Sequence, residues 1–439
     1  MTLDAVKLDR DLRRNHEKQG FDLFQWATLA VLVAFSLYMF LWEFANVNSD
    51  LYKHAVIASQ FNFADLHSIT SRLAYPLWHI FVAAFNQVGV PLNWSAAIIC
   101  TLCKALAFLL VRRYLLVMTR GRLSSVLLTL CALFLMLVTS LRIDSLNHGW
   151  VYRGVGSPTV WHNPTQLAVL VTAMLCVPYT LHCWYEFESI LPTQGEKTLL
   201  PWRKVFALAA LLMLSLSAKP TFMQAMIPAA AVFFLVQWIR HPKNSRYFLQ
   251  IILAFLPAVA YFLLQYLYYT GVVVPFTSGV EFGLTLESVW EAIRNMAVMA
   301  AFPLFVLVFC YRPGFFKDKL LVLCLLMAAF SIVEAMCFHE TGVRINHGNF
   351  NWASMSSAFM LWVAVVPKFV DSIDEFRDLQ NRVQTLTVEG TLSTVELKKA
   401  RRGLKLRSLA FFMSFVLLTW HVYSSIYYLY FLLSSGNVF

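Results

Sequence analysis

Long apolar runs separated by short polar ones run through the whole chain. A helix needs roughly 20 apolar residues to cross the hydrocarbon core of a bilayer. Runs of that kind fall at 23–42, 94–111, 123–141, 164–185, 203–218, 220–239, 247–269, 293–311, 319–338, 350–370 and 408–433. The pattern predicts an all-α polytopic membrane protein with about 11 transmembrane helices, because helices satisfy their own backbone groups in lipid. A shorter apolar stretch, 73–88, lies within the loop after the first span, 43–93. Whether it crosses decides the side of every later loop. The first span follows a basic segment, 1–21; it is too long for a signal-peptide core and lacks a small-residue cleavage site, so it is expected to stay as an anchor.

Charge resolves the parity. If 73–88 lies in the interface or re-enters, 27 of the 35 Lys and Arg fall on one side, in 1–21, 112–122, 186–204, 240–246, 312–319 and 368–407. If it crosses, the bias largely reverses. The positive-inside rule therefore predicts an inner amino terminus and an outer carboxyl terminus, with interfacial helices in the first outer loop. Composition fits: 59% of residues are hydrophobic, 13% are charged and the mean hydropathy is +0.63. Soluble domains carry about 25% charged residues. The net charge of +11 then faces anionic lipid, and no nucleic-acid partner is expected. Residues 1–439 read as one transmembrane domain, in which 371–407 is a charged, helical cytoplasmic linker. No internal repeat is visible, which weakens a transporter reading. All eight cysteines lie in apolar segments, and Cys100-x-x-Cys103 has no second half with which to hold zinc.

With this orientation the unusual polar residues are nearly all outside, including seven of the 11 histidines. Asp50 and His54 are four apart, on one face of a short helix directly after the first span. Asp50 is either a general base for a hydroxyl or, with Ser49, a helix cap. A second cluster gathers Arg153, Trp161, His162, Asn163 and Pro164. Asn163-Pro164 is a good helix start, and Trp161 suits either an interfacial anchor or the wall of a sugar-phosphate site. Lys219 stands at the tight outer turn Ser217-Ala218-Lys219-Pro220-Thr221, either snorkelling or contacting a phosphate. The last outer loop carries His339, Glu340, Arg344 and His347 and leads through Asn349-Phe350-Asn351-Trp352 into the next span. Its histidine spacing is not that of a zinc hydrolase, and Arg344 is the better phosphate ligand. Lys104, Glu334 and His421 are ionisable groups inside spans.

These features together resemble the GT-C superfamily of membrane glycosyltransferases. The likeness rests on the span number, an acid soon after the first span, and three short stretches: Tyr75-Pro76-Leu77-x-His79, Trp161-His162-Asn163-Pro164-Thr165 and Lys219-Pro220-Thr221-Phe222. The resemblance implies a GT-C-like fold in a bacterial cytoplasmic membrane, with the site on the extracytoplasmic face. It implies transfer of a sugar from a polyprenyl-phosphate donor to a glycan or lipid acceptor, with Asp50 as base. His54, Arg153, His162, Lys219, Arg344 and His347 are the expected substrate contacts. Many members pair two acidic positions where this chain shows one, so the expected site is metal-free and a divalent ion is the open alternative. A flippase or transporter of a lipid-linked glycan is the competing class.

Overall fold

The computed structural model describes residues 23–65, 68–69, 74–147, 156–195, 198–269, 279–310, 314–342, 348–389 and 393–435. In chain order its helices are α1 (Leu23–Asn46), α2 (Asp50–Ser59), α3 (Leu77–Gln87), α4 (Leu92–Met118), α5 (Ser125–Leu137), α6 (Pro164–Gln194), α7 (Trp202–Ala218), α8 (Thr221–Arg240) and α9 (Ser245–Tyr269). Strand β1 (Val280–Phe282) precedes α10 (Leu286–Met299), α11 (Ala301–Phe309) and α12 (Lys319–Cys337). Strand β2 (Phe338–Glu340), α13 (Trp352–Val388) and α14 (Thr394–Ser435) complete the order. The chain is an all-α polytopic membrane protein. Among the described residues, eight helices are long and apolar enough to cross a bilayer, or nine if α10 and α11 form one bent span.

Three of the eleven expected spans differ from simple crossings. The stretch 123–141 is helical only over Ser125–Leu137, about 20 Å of rise. The stretch 293–311 is broken, with α10 and α11 meeting at 80°. Helix α7 has 17 residues, about 25 Å, just short of a full hydrocarbon core. The doubtful stretch 73–88 forms α3, whose 11 residues rise about 16 Å and cannot cross alone. It packs on α2 and α4.

Helices α6 and α13 form the axis of the bundle. Of their apolar stretches 72% and 83% is buried, against 28% in α1 and α14 at the periphery. Small residues let α13 approach its neighbours closely. Ser354 and Ser357 donate to the carbonyls of Ser331 and Met327 on α12, and Ser356 accepts from Gln166 on α6.

Beyond the end of α5 the backbone is extended, and side chains from elsewhere satisfy it, as irregular backbone among membrane helices requires. Lys104 donates to the Met136 carbonyl at 2.9 Å while its ammonium lies 4.1 Å from the Trp161 ring centre. Ser157 and Thr159 both donate to Val138, and His421 Nδ1 donates to Thr139 at 2.8 Å. Lys104 is therefore buried at the α5 carboxyl end, where a cation is favoured, and does not snorkel. Trp161 is also fully buried, against Phe35 and Phe40, so it is core and not an interfacial anchor. Gly156 sits at φ 47° against the Met355 side chain, where a Cβ has no room.

Successive long helices alternate in direction. The carboxyl ends of α1, α7 and α12 meet the amino ends of α6, α8 and α13 at one end of the bundle. At the other end charge is paired: Arg122 with Asp371 and Asp374, Lys204 with Glu186, and Lys368 with Asp318 at 2.5 Å. Within the stretch 371–407, α13 extends to Val388 and α14 begins at Thr394.

Candidate active site

Ser49 caps α2, its hydroxyl accepting from Leu51 N at 3.2 Å. That leaves the neighbouring Asp50 side chain free of the capping role. Asn163 caps α6 in turn, its Oδ1 accepting from Gln166 N at 3.0 Å and from the Thr165 hydroxyl at 2.8 Å. The other end of the same amide, Nδ2, donates to Asp50 Oδ2 at 2.8 Å. Lys219, at the carboxyl cap of α7, reaches Asn163 Oδ1 at 3.5 Å. One buried carboxamide thus joins a carboxylate to an ammonium, drawing on three elements distant in sequence.

Trp352, the first residue of α13, forms the floor. The Lys219 ammonium lies 3.9 Å from its ring centre, and the His162 ring centre is 5.8 Å away. Gln166 ties this floor to α6 by donating to Ser356 Oγ at 2.6 Å. On the other flank His54 Nδ1 and His79 Nε2 share a hydrogen bond of 2.8 Å, so one imidazole donates and the other accepts. The i,i+4 pairing expected of Asp50 and His54 is therefore replaced by a bond between α2 and α3, although Asp50 still acts on His54 through its charge.

Burial by itself would raise the Asp50 carboxyl, but His162, His54, Lys219 and the Asn163 hydrogen bond outweigh it and hold the group below the usual carboxylate value. Burial pushes His54 and His162 down to about 4 each, against the pull of Asp50. It lowers Lys219 to about 7, against Asp50 and Glu340. At neutral pH both imidazoles are therefore uncharged, and Lys219, in its protonated form, is the counter-charge to Asp50.

Lys219 also lines an open cleft of about 770 Å³ bounded by Tyr75, Thr221, Gln224, Gln265, Glu340 and Asn349 among others. Glu340 is placed there by the antiparallel pairing of β1 and β2, Val280 opposite Glu340. Its carboxylate accepts from the Asn349 side chain at 2.6 Å and from Asn349 N at 3.2 Å. Below the cleft the same two helices form an apolar groove. Ile227, Phe234 and Trp238 of α8 face Phe248, Phe255 and Val259 of α9. From Gln224 to Trp238 this face descends about 21 Å.

Of the expected site residues, the structure brings Asp50, His54, His162 and Lys219 together. Arg153, Arg344 and His347 lie outside the described residues. Asn163, Trp352, Glu340, Asn349, His79 and the cleft's Thr221, Gln224 and Gln265 were not singled out as substrate contacts. The signal for the last three was available, since each is a polar residue near the end of an otherwise apolar helix. A second acid also exists: Glu43, seven residues before Asp50, is 1% exposed on α1. Among the described residues no three His, Cys, Asp or Glu side chains gather as a metal site. His339 is bonded to the Gly283 carbonyl at 2.9 Å. An amide N–H and an ammonium beside Asp50 are also a poor donor set for a cation.

No protein-family model and no curated protein matches the chain.

Proposed function

We propose that this protein is a membrane glycosyltransferase of GT-C type, moving a sugar from a polyprenyl-phosphate donor to a hydroxyl of a glycan or lipid acceptor. The observation that carries the reading is the Asn163 amide holding the Asp50 carboxylate and the Lys219 ammonium side by side. Such a pair supplies both charges that a glycosyl transfer needs. Asp50, whose Oδ1 makes no hydrogen bond among the described residues, takes the proton of the acceptor hydroxyl as its oxygen bonds to the anomeric carbon. The bond from that carbon to the phosphate oxygen breaks, and the electron pair leaves with the polyprenyl phosphate. Lys219 faces the charge that develops there.

Two further features support a lipid-linked donor. The cleft at Lys219 and the apolar groove are lined by neighbouring stretches of α8 and α9, an order that matches a phosphate head with a long apolar tail. The described Lys- and Arg-bearing ends, among them Arg122, Lys204 and Lys368, lie at the opposite end of the bundle, and the positive-inside rule then supports a site on the outer face of a cytoplasmic membrane. The flippase alternative needs polar groups along a path through the bundle. Lys104 and His421 are instead spent on backbone carbonyls.

Native mass spectrometry of the detergent-purified protein with added polyprenyl phosphate tests the reading. Retained polyprenyl phosphate in the wild type, lost in Lys219→Met at unchanged melting temperature, is the expected result. Retention of ordinary phospholipid alone, even after the addition, overturns it.

A further inference from the structure

Three side-chain oxygens in the cleft beside Lys219 are buried and make no hydrogen bond among the described residues: Thr221 Oγ1, Gln224 Oε1 and Gln265 Oε1. The direction of Gln265 is fixed. Its Nε2 donates to the carbonyls of Ala74 at 2.9 Å and Leu216 at 3.0 Å, so only its oxygen is left to face a ligand. Glu340 lines the same cleft, a carboxylate steadied by Asn349 and able to accept further. The lining is thus rich in acceptors, and among the described residues Lys219 is the one cation in it. Buried acceptors without donors are unfavourable, and a ligand that brings donors removes that cost.

Resting on the glycosyltransferase reading, we propose that this cleft reads the sugar joined to the lipid phosphate. It accepts a sugar that presents hydroxyl or amino donors and rejects one that carries a carboxylate. With the phosphate at Lys219, the sugar ring reaches Gln224, Gln265 and Thr221. A uronic acid there turns its carboxylate toward the Gln265 oxygen and the Glu340 charge, neither of which can donate to it. Gln265 and Glu340 are the specificity-determining residues, and Gln224 and Thr221 strengthen the preference.

The test uses four lipids on one polyprenyl chain: the bare phosphate, and the phosphate carrying glucose, glucosamine or glucuronic acid. Binding to the purified protein is read by quenching of its tryptophan fluorescence. We expect glucose or glucosamine to tighten binding about tenfold over the bare phosphate, the size of one or two recovered hydrogen bonds. Glucuronic acid is expected to add nothing or to weaken binding. Gln224→Leu and Thr221→Val should reduce the sugar's gain while leaving affinity for the bare phosphate and the melting temperature unchanged. Glu340→Gln should lift the penalty on glucuronic acid. If it also abolishes the glucosamine gain while keeping that of glucose, the amine is the donor that Glu340 recognises. Bare phosphate binding as well as every sugar, or glucuronic acid binding as well as glucose, overturns the inference while leaving the glycosyltransferase reading in place. Failure of all four lipids removes both.

Discussion

Asn163 steadies Asp50 with its Nδ2 and caps α6 with its Oδ1, and substitutions can separate these roles. Asp is as good a helix cap as Asn. Asn163→Asp should therefore keep the α6 cap while placing a second carboxylate against Asp50 and drawing Lys219 away from a bound phosphate. Retention of polyprenyl phosphate should fall about tenfold, whereas Asn163→Ala should also lose about 1 kcal/mol of cap stability. Lys219, lowered to about 7, is charged below that pH and neutral above it. Affinity for polyprenyl phosphate should fall as pH rises from 6 to 8, and Lys219→Arg should flatten the profile. A flat wild-type profile would show that the ammonium does not hold the phosphate. The imidazoles act on stability in the other direction. His54 and His162 bind a proton near 4 when folded and near 6.5 when unfolded, so the unfolded chain takes up more protons between those values. The melting temperature should drop as pH falls from 6.5 to 4, and His162→Phe should remove part of that drop.

At the scale of elements, apolar runs showed where helices would lie but not where they would stop. Val138, Thr139, Ser140 and Leu141 continue the hydrophobic run of α5, and the turn away from helix depends on partners remote in the chain. Ser157 is 19 residues away, and His421 is 282 away. The break at Ala300 does carry one local signal: Pro303 has no N–H to give the Met299 carbonyl, and Trp362 Nε1 donates there at 2.8 Å instead. Lys104 and His421 stood out as ionisable groups inside spans, and their structural role was hidden for the same reason: the carbonyls they serve are open only once α5 has ended. Lys104→Met should therefore destabilise the protein by about 1–3 kcal/mol through the unpaired Met136 carbonyl. Bound polyprenyl phosphate should be unaffected at a temperature where the variant is folded. Thermal unfolding in detergent, paired with the lipid retention measurement, checks both halves.

For the whole molecule, the distribution of Lys and Arg predicts that the site faces outward. Cysteines placed at Ala64 and Asp378, both exposed and near opposite ends, give the check, since the eight native cysteines are buried or half-buried. In intact cells an impermeant maleimide should label Ala64→Cys and spare Asp378→Cys; the reverse pattern would turn the molecule over. The parts of the site were legible singly, because a carboxylate, an imidazole and a lysine at the ends of apolar runs stand out. Their assembly was not. Asn163 read fully as a cap, and Trp352 as an anchor, because nothing local in either stretch reveals a partner more than a hundred positions away.

The Asn163 bridge also sets an order on biosynthesis. Asp50 is made first, its amide partner 113 residues later, and the lysine 56 residues after that. A nascent chain inserted only as far as α5 holds an exposed carboxylate with no partner and no cation beside it. The centre first comes together when the turn between α7 and α8 docks, about halfway through synthesis. A chain arrested before that point lacks the charge pair, and the Gln265 wall, Glu340 and the Trp352 floor join it only as the second half of the chain follows. Ligand binding is in that sense a record that the middle of the molecule has been threaded correctly.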